Sequence, residues 1–373
     1  MKITIVGTAY PLRGGIAHYN ALLYRELGAR HAVDIVTFRR QYPGFLFPGK
    51  TQQEEGAADG FRVPAEVLVD SINPLNWVTT GRRIRSRRPD LVIFKYWLPF
   101  FGPCFGTIAR VVKRGSDAKV LFICDNVVPH ERRPGDRLFT RYAFGAVDSF
   151  VVQSRAVERD LLAFVPEASY AYVPHPVYNG FGSTVPVADA RHRLGITARY
   201  VLLFFGYVRK YKGLDVLLDA VALLKDQLDL ALIVVGEIYD GEQAYREQIL
   251  RLGLASRVTL RSDYVPNDEV KYYFSAADAV VLPYTSATQS GIAQIAYNFD
   301  LPVIASDVGG LSEVVHDGVT GALVPPGDPR ALASKILEYC TTMDRERLRA
   351  AVREEKKQYS WENLVAAIER LGR

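Results

Sequence analysis

Short runs of consecutive apolar residues alternate with longer amphipathic stretches along most of the chain. Ile3–Val6, Asp34–Phe38, Leu91–Phe94, Val120–Ile123, Ser149–Val152 and Tyr170–Val173 read as buried strands. The pattern then restarts at Val201–Phe205, Leu230–Val235, Val258–Leu260, Ala279–Leu282 and Val303–Ala305. Buried strands separated by helical segments predict a parallel, doubly wound sheet, because a right-handed crossover needs the intervening helix. Between the two series, Val173–Gly180 is rich in Pro and Gly and periodicity does not return until Ala188, which predicts a domain boundary at about Pro174–Val187. The expected fold is α/β, with two Rossmann-like domains facing a central cleft. They span residues 1–175 and 188–373, with a last helix after Ser360 that carries Trp361 and Leu364 inward and can pack back on the first domain. Gln41–Gly60, rich in Gly, Pro and polar residues, reads as a long loop.

The densest candidate chemistry lies in Ala279–Gly310. A strand runs into a polar turn, Ser286–Gly291, that opens a helix over Ile292–Asn298. The following strand ends in Gly309-Gly310 before a further expected helix. At the carboxyl ends of neighbouring strands these turns would aim two helix N-termini, with their unpaired amides, at one anion. Thr285, Ser286, Thr288, Gln289 and Ser290 add short donors, while Gly291, Gly309 and Gly310 let backbone approach a ligand. Ordinary caps and an ordinary turn are the plainer reading of the same residues.

Gly206–Asp215 sharpens the choice, because its glycine turn carries Arg209, Lys210 and Lys212 at a helix start. The helix dipole repels cations there, so an anionic ligand is favoured. In the first half, Gly14-Gly15 opens a helix that includes His18. It is not the G-x-G-x-x-G fingerprint; it reads either as a turn leaving room for a sugar or as a simple helix start. The loop after Val120–Ile123 offers Asp125, Asn126, His130 and Glu131 for sugar hydroxyl contacts or proton transfer, since strand-end loops of open α/β sheets face the ligand.

Composition narrows the class. The chain has 373 residues, 49% hydrophobic and 23% charged, the make-up of a soluble globular enzyme of two domains. There is no apolar run of membrane-spanning length and the N-terminus enters a strand without a leader pattern, which predicts a cytoplasmic protein. Three scattered cysteines fit reduced thiols, and the absence of Asp-x-Asp argues against a divalent metal. Neither a cofactor nor a nucleic-acid partner is expected. Over Met1–Gly180 there are 24 Lys and Arg against 16 Asp and Glu, so the net charge of +5 belongs to the first half. Arg82, Arg83, Arg85, Arg87 and Arg88, with Trp97, Phe100, Phe101 and Phe105 nearby, read in two ways. They form a peripheral contact for an anionic membrane or lipid-linked acceptor, or a solvated helix face beside core aromatics.

Taken together, these segments resemble the family 4 (group 1) retaining glycosyltransferases of the GT-B fold. The similarity runs through the Gly14-Gly15 turn, the Asp125–Glu131 loop, Val151–Ser154, Gly206–Gly213, Val235-Gly236-Glu237, Leu282-Pro283-Tyr284, Pro302–Ala305, Gly309–Val315, Asp317-Gly318, Thr320-Gly321 and Leu323-Val324-Pro325. The resemblance implies a metal-independent transfer of a hexosyl group from a nucleoside diphosphate sugar to a hydroxyl acceptor, whether glycan, lipid-linked or small molecule. Arg209 and Lys212 would hold the diphosphate as catalytic cations. Gly206, Glu237, Thr288, Gln289, Ser290, Gly291, Gly309, Gly310 and Glu313 would line the donor site. Gly14, Gly15, His18 and Asn126 would face the acceptor, and Asp125 and His130 would orient sugar or acceptor.

Departures from the family pattern are equally specific. Tyr207 stands where the family's arginine usually follows the first glycine. Ala287 and Ile295 occupy the positions of its paired glutamates, leaving Thr288, Gln289, Ser290 and Gln294 as substitutes, and Asp125 replaces a frequent histidine. A catalytically lost scaffold or nucleotide-sugar-binding subunit is the alternative these departures raise.

Overall fold

The computed structural model describes residues 1–43, 52–53, 61–129, 133–238 and 241–373. The chain forms two compact units, Met1–Pro176 with Tyr359–Arg373, and Val177–Gln358.

The first unit contains β1 (Lys2–Val6), α1 (Gly15–Gly28), β2 (Ala32–Arg40), β3 (Glu66–Asp70), α2 (Pro74–Ser86), β4 (Leu91–Tyr96) and α3 (Gly102–Lys113). It continues with β5 (Lys119–Cys124), α4 (Asp136–Phe144), β6 (Ser149–Val152), α5 (Arg155–Phe164) and β7 (Tyr170–Tyr172). Its seven strands lie in the order β3-β2-β1-β4-β5-β6-β7, all pairs parallel. The order reverses between β1 and β4, so the loops leaving these strands sit where such sheets bind ligands. The apolar runs recognised in the sequence line the core: β4 is buried along its whole length, and Phe38, Phe94, Phe101, Phe105 and Phe122 form one aromatic cluster above it.

That cluster decides between the two readings of these aromatics. Phe101 and Phe105 are fully buried and Trp97 and Phe100 half-buried, so they are core aromatics and not an exposed group. Their mutual contacts at 4.4–6.1 Å give them more favourable surroundings than solvent would. The large apolar residues that do reach solvent in this unit include Leu138, Phe139 and Tyr142 on α4.

The second unit contains α6 (Val187–Leu194), β8 (Tyr200–Phe205), α7 (Leu214–Leu224), β9 (Leu230–Val235), α8 (Glu242–Arg251), β10 (Val258–Arg261) and α9 (Val270–Ala276). Then come β11 (Ala279–Leu282), α10 (Gly291–Asn298), β12 (Val303–Ser306), β13 (Gly321–Val324), α11 (Pro329–Thr341) and α12 (Arg345–Glu355). The six strands run β10-β9-β8-β11-β12-β13, again all parallel, with the reversal between β8 and β11. Finally α13 (Trp361–Leu371), capped by the Ser360 hydroxyl accepting from Asn363 N, packs in the first unit. Its Trp361 ring lies 5.1 Å from that of Tyr19 on α1.

Two strands escaped the hydrophobic pattern. β3 is an edge strand exposed on one side and preceded by the long polar stretch, and β13 begins at Gly321. A Cβ at Gly321 would lie 1.9 Å from Val303 O, so the strand pairs at a distance only glycine permits. A second correction concerns the turn after β12. No α-helix follows Gly309-Gly310; a single 3-10 turn, Gly309–Leu311, takes its place. Leu311 O accepts from both Val314 N and Val315 N, and the chain then reverses at His316–Thr320 into β13 before a helix can propagate. Of the two helix N-termini expected within Ala279–Gly310, the structure therefore has one, that of α10.

Candidate functional site

In the second unit, three loops leave the carboxyl ends of β8, β11 and β12, on either side of the strand-order reversal. Glycines fasten them together. Gly213 has φ 65° and a Cβ there would lie 2.0 Å from Pro283 O, so the loop after β8 rests directly on the loop after β11. Thr285 N donates to Tyr211 O at 2.7 Å across the same seam. Gly309, with φ 51°, brings the turn after β12 so close that a Cβ would lie 1.6 Å from Ala287 O. No side chain fits at either place, and both backbones occupy the left-handed region that favours glycine.

This fastening collects the predicted donor residues. Gly206 (φ 96°) ends β8, and a Cβ on it would stand 3.5 Å from Lys212 Nζ and 3.1 Å from Ile292 Cδ1. Lys212 is only 9% exposed, and its ammonium lies 5.5 Å from the Tyr284 ring centroid. Among the described residues no carboxylate or other acceptor bonds it. Burial, reinforced by the neighbouring Arg209 charge, pushes its pKa down to about 8. Arg209 itself is exposed. Ser290 caps α10 by position without a side-chain capping bond, and its hydroxyl lies beside that of Tyr284. Gly291 follows, packed near the Tyr178 ring, and Thr288 and Gln289 are half-buried in the same turn. Gln294, one turn into α10, is buried, and its Oε1 has no hydrogen-bond partner among the described residues. Glu237 is buried after β9, where its carbonyl accepts from Val208 N at 2.8 Å, and Glu313 is half-buried beyond the 3-10 turn.

In the first unit, Gly14 (φ 111°) is the N-cap of α1 and Gly15 begins the helix in an exposed position. His18 is buried and stacks on Phe61 at 4.0 Å; desolvation pushes its pKa down to about 3, so its ring is neutral at ordinary pH. Asp125 follows β5, and its carboxylate pairs with Lys95 Nζ at 2.7 Å. Asn126 is half-buried beside it. His130 and Glu131 lie outside the described residues, as does most of the predicted loop at Gln41–Gly60.

Lys95 was not among the sequence candidates, nor were its neighbours Tyr19, Gln153 and His175. A signal existed: Leu91-Val92-Ile93-Phe94-Lys95-Tyr96 places a single charge inside an otherwise apolar strand. Ending the strand at Phe94 hid it.

Two family models match the chain. Residues 14–176 match "Glycosyl transferase 4-like domain" and residues 199–342 match "Glycosyl transferases group 1". The chain belongs to the group 1 glycosyltransferases. A D-inositol 3-phosphate glycosyltransferase of Streptomyces scabiei is 33% identical over 191 residues, 48% of this chain and 43% of the relative. The protein of the same name in Streptomyces coelicolor is 28% identical over 269 residues, 69% of this chain and 56% of the relative. The alignments span about half the length of these curated relatives. Among solved structures, Anabaena HepE in complex with UDP superposes with a TM-score of 0.76 at 20% identity, over 99% of each chain. Sucrose-phosphate synthase from Thermosynechococcus elongatus does so at 0.73 and 20%, over 100% of this chain and 98% of that one. The fold is GT-B.

Proposed function

We propose that this protein is a retaining, metal-independent glycosyltransferase that moves a hexosyl group from a nucleoside diphosphate sugar to a hydroxyl acceptor. The observation that carries the reading is Lys212, a buried ammonium with no counter-ion among the described residues, at the strand-order reversal of the second sheet. An unpaired buried cation is costly, and a diphosphate would supply the missing charge. Arg209 then meets the same phosphates from the exposed side. The amides of Gly291, Gly309 and Gly310 and the Ser290 hydroxyl surround them, and Gln294 Oε1 is an acceptor for a donor hydroxyl. The barrier would fall chiefly through stabilisation of the departing diphosphate. In the first unit, Asp125 and the Gly14-Gly15 turn face the hydroxyl-bearing substrate. Uridine diphosphate sugars are the first donors to try, because UDP and UDP-glucose occupy the Anabaena structures of the same fold.

The pH dependence of donor binding tests this assignment. Unfolded lysine keeps its proton up to about 10.5, whereas Lys212 in the ligand-free native state loses it near 8. Between those values the unfolded state binds more protons, so this group makes the ligand-free protein more stable as pH rises. A bound diphosphate favours the charged form and reverses the preference. UDP affinity is therefore expected to be full below about pH 8 and to fall above it, with proton uptake on binding near the turning point. Calorimetry in two buffers of different ionisation enthalpy reads both effects. An affinity that stays flat through this range would remove Lys212 from the diphosphate.

We further propose that the protein works in the cytoplasm, in polysaccharide, glycolipid or cell-envelope glycan synthesis, with its basic first unit against an anionic membrane. No helix of the described residues is long and apolar enough to cross a membrane. Support for peripheral contact comes from α4, where exposed Leu138, Phe139 and Tyr142 accompany exposed Arg137 and Arg141. Co-sedimentation with phosphatidylglycerol vesicles is expected to weaken by roughly fivefold in Arg137→Gln and in Arg141→Gln, about 1 kcal/mol per charge. Equal binding to neutral vesicles would refute it.

A further inference from the structure

Two lysines are buried among the described residues, and they differ in one respect. Lys212 lacks a partner for its charge, whereas Lys95 is completely provided for. Lys95 Nζ lies 2.7 Å from Asp125 Oδ1, 3.0 Å from Gln153 Oε1 and 3.3 Å from the centroid of the Tyr19 ring. An ammonium has three donors, and these three contacts use them. Gln153 Nε2 in turn donates to the Tyr19 hydroxyl at 3.0 Å, closing the network. His175 stands edge-on to Tyr19 at 5.1 Å with Nδ1 2.7 Å from Pro176 O, and burial keeps it neutral, with a pKa of about 4.

Fold stability alone gives little reason for this arrangement, since a buried ion pair is often no better than apolar side chains of the same volume. Its place is informative. β4, β5 and β6 bring Lys95, Asp125 and Gln153 together at their carboxyl ends, beside the reversal between β1 and β4. The two charges are also unequally exposed: the Lys95 side chain is 2% accessible and that of Asp125 14%. The cation is shut in and the carboxylate alone reaches outward.

We propose that Lys95 is a positioning residue for glycosyl transfer, holding the Asp125 carboxylate in one orientation to accept a hydrogen bond from a hydroxyl of the acceptor. A carboxylate already paired with a cation has little attraction for a second cation and none for an anion, so a neutral O–H donor is the chemistry it recognises. Gln153 and Tyr19 keep Lys95 from swinging away. The proposal rests on the glycosyl-transfer reading above and extends it to the first unit.

Turnover and UDP binding of Lys95→Met, Asp125→Asn and the double variant test it. Each single change is expected to lower kcat/KM for the acceptor ~10- to 100-fold, the size of one lost hydrogen bond to a charged group. UDP affinity stays within about twofold, because the diphosphate is held elsewhere. The double variant is expected to be no worse than the poorer single one, since Lys95 acts through Asp125. A purely structural lysine would instead give a less stable protein whose folded fraction works normally, and losses that multiply in the double variant. Either result overturns the proposal. Should Lys95→Met fail to fold, Gln153→Leu keeps the ion pair and removes one restraint. It is expected to lose roughly three- to tenfold in kcat/KM, and a folded Gln153→Leu protein at wild-type rate refutes the idea. A wild type that turns over no nucleotide sugar overturns the transfer reading and this proposal with it. An active wild type beside an unimpaired Lys95→Met overturns this proposal alone.

Discussion

Lys212→Met is expected to lower turnover by about 10²- to 10³-fold while leaving the protein folded. The argument begins with volume. Methionine fills much of the space of the lysine stem, and the position it occupies is buried, with the ammonium beside Gly206 and the Tyr284 ring. What disappears is the charge, which the ligand-free protein holds at a cost; the variant should be as stable as the wild type or slightly more so near neutral pH. In the reaction the leaving diphosphate gains negative charge as the glycosidic bond breaks, and a buried cation acts on it more strongly than one in water. Arg209, being exposed, cannot substitute fully because solvent screens it. The measurement is nucleoside diphosphate release in the presence of acceptor, with thermal melting as the control. A folded variant that keeps more than a tenth of wild-type turnover would contradict the assignment.

Trp361→Ala is expected to destabilise the first unit by about 3–5 kcal/mol, the usual result of removing a large buried aromatic. Trp361 is 3% exposed, begins α13 and meets Tyr19, whose ring also covers the Lys95 ammonium. The void would therefore open beside the buried charge and add to the cost of keeping it there. Trp77 and Trp97, the other two tryptophans, both belong to the first unit, so their fluorescence reports its unfolding in urea without contribution from the second. The midpoint of that transition should fall while nucleotide binding persists below it. An unchanged midpoint would mean that α13 is only loosely attached.

Much of this architecture is legible in the residues. Long apolar runs announced most strands, because strands buried on both faces have few other ways to be written. The parallel topology followed from the helices between them. Edge strand β3 and the glycine-led β13 were missed although each carries a three-residue apolar run, Val67–Val69 and Ala322–Val324; β3 follows the long polar stretch, and β13 depends on a close approach that no pattern of hydrophobicity records. The helix expected after Gly309-Gly310 failed for a related reason. Ser312–Val315 has a plausible composition, yet the chain has to turn back at once to supply β13.

The second-unit site was readable in part. Gly206, Arg209, Lys212 and the Ser290-Gly291 turn are local features, and a cation at a helix start signals its own anomaly. Burial of Lys212 is not local; the Tyr284 ring beside its ammonium lies far away in sequence. The Lys95 network was hidden more completely. Tyr19, Lys95, Asp125, Gln153 and His175 come from five separate segments, and only the sheet brings them to one end. Phe101 and Phe105 were open to both readings, since an aromatic run after a strand looks the same whether it caps a core or faces a membrane.

The return of α13 also bears on how the molecule is made. Residues 1–176 leave the ribosome before any of the second unit, yet the helix that packs on α1 is synthesised after all of it. For that interval the surface around Tyr19 lacks its Trp361 cover, while the second unit, Val177–Gln358, can already fold on its own material. The usual order of completion during synthesis, first domain first, is thereby inverted. A released chain lacking α13 would carry the whole of the second unit and an unfinished first one, with an apolar face exposed to chaperones and proteases.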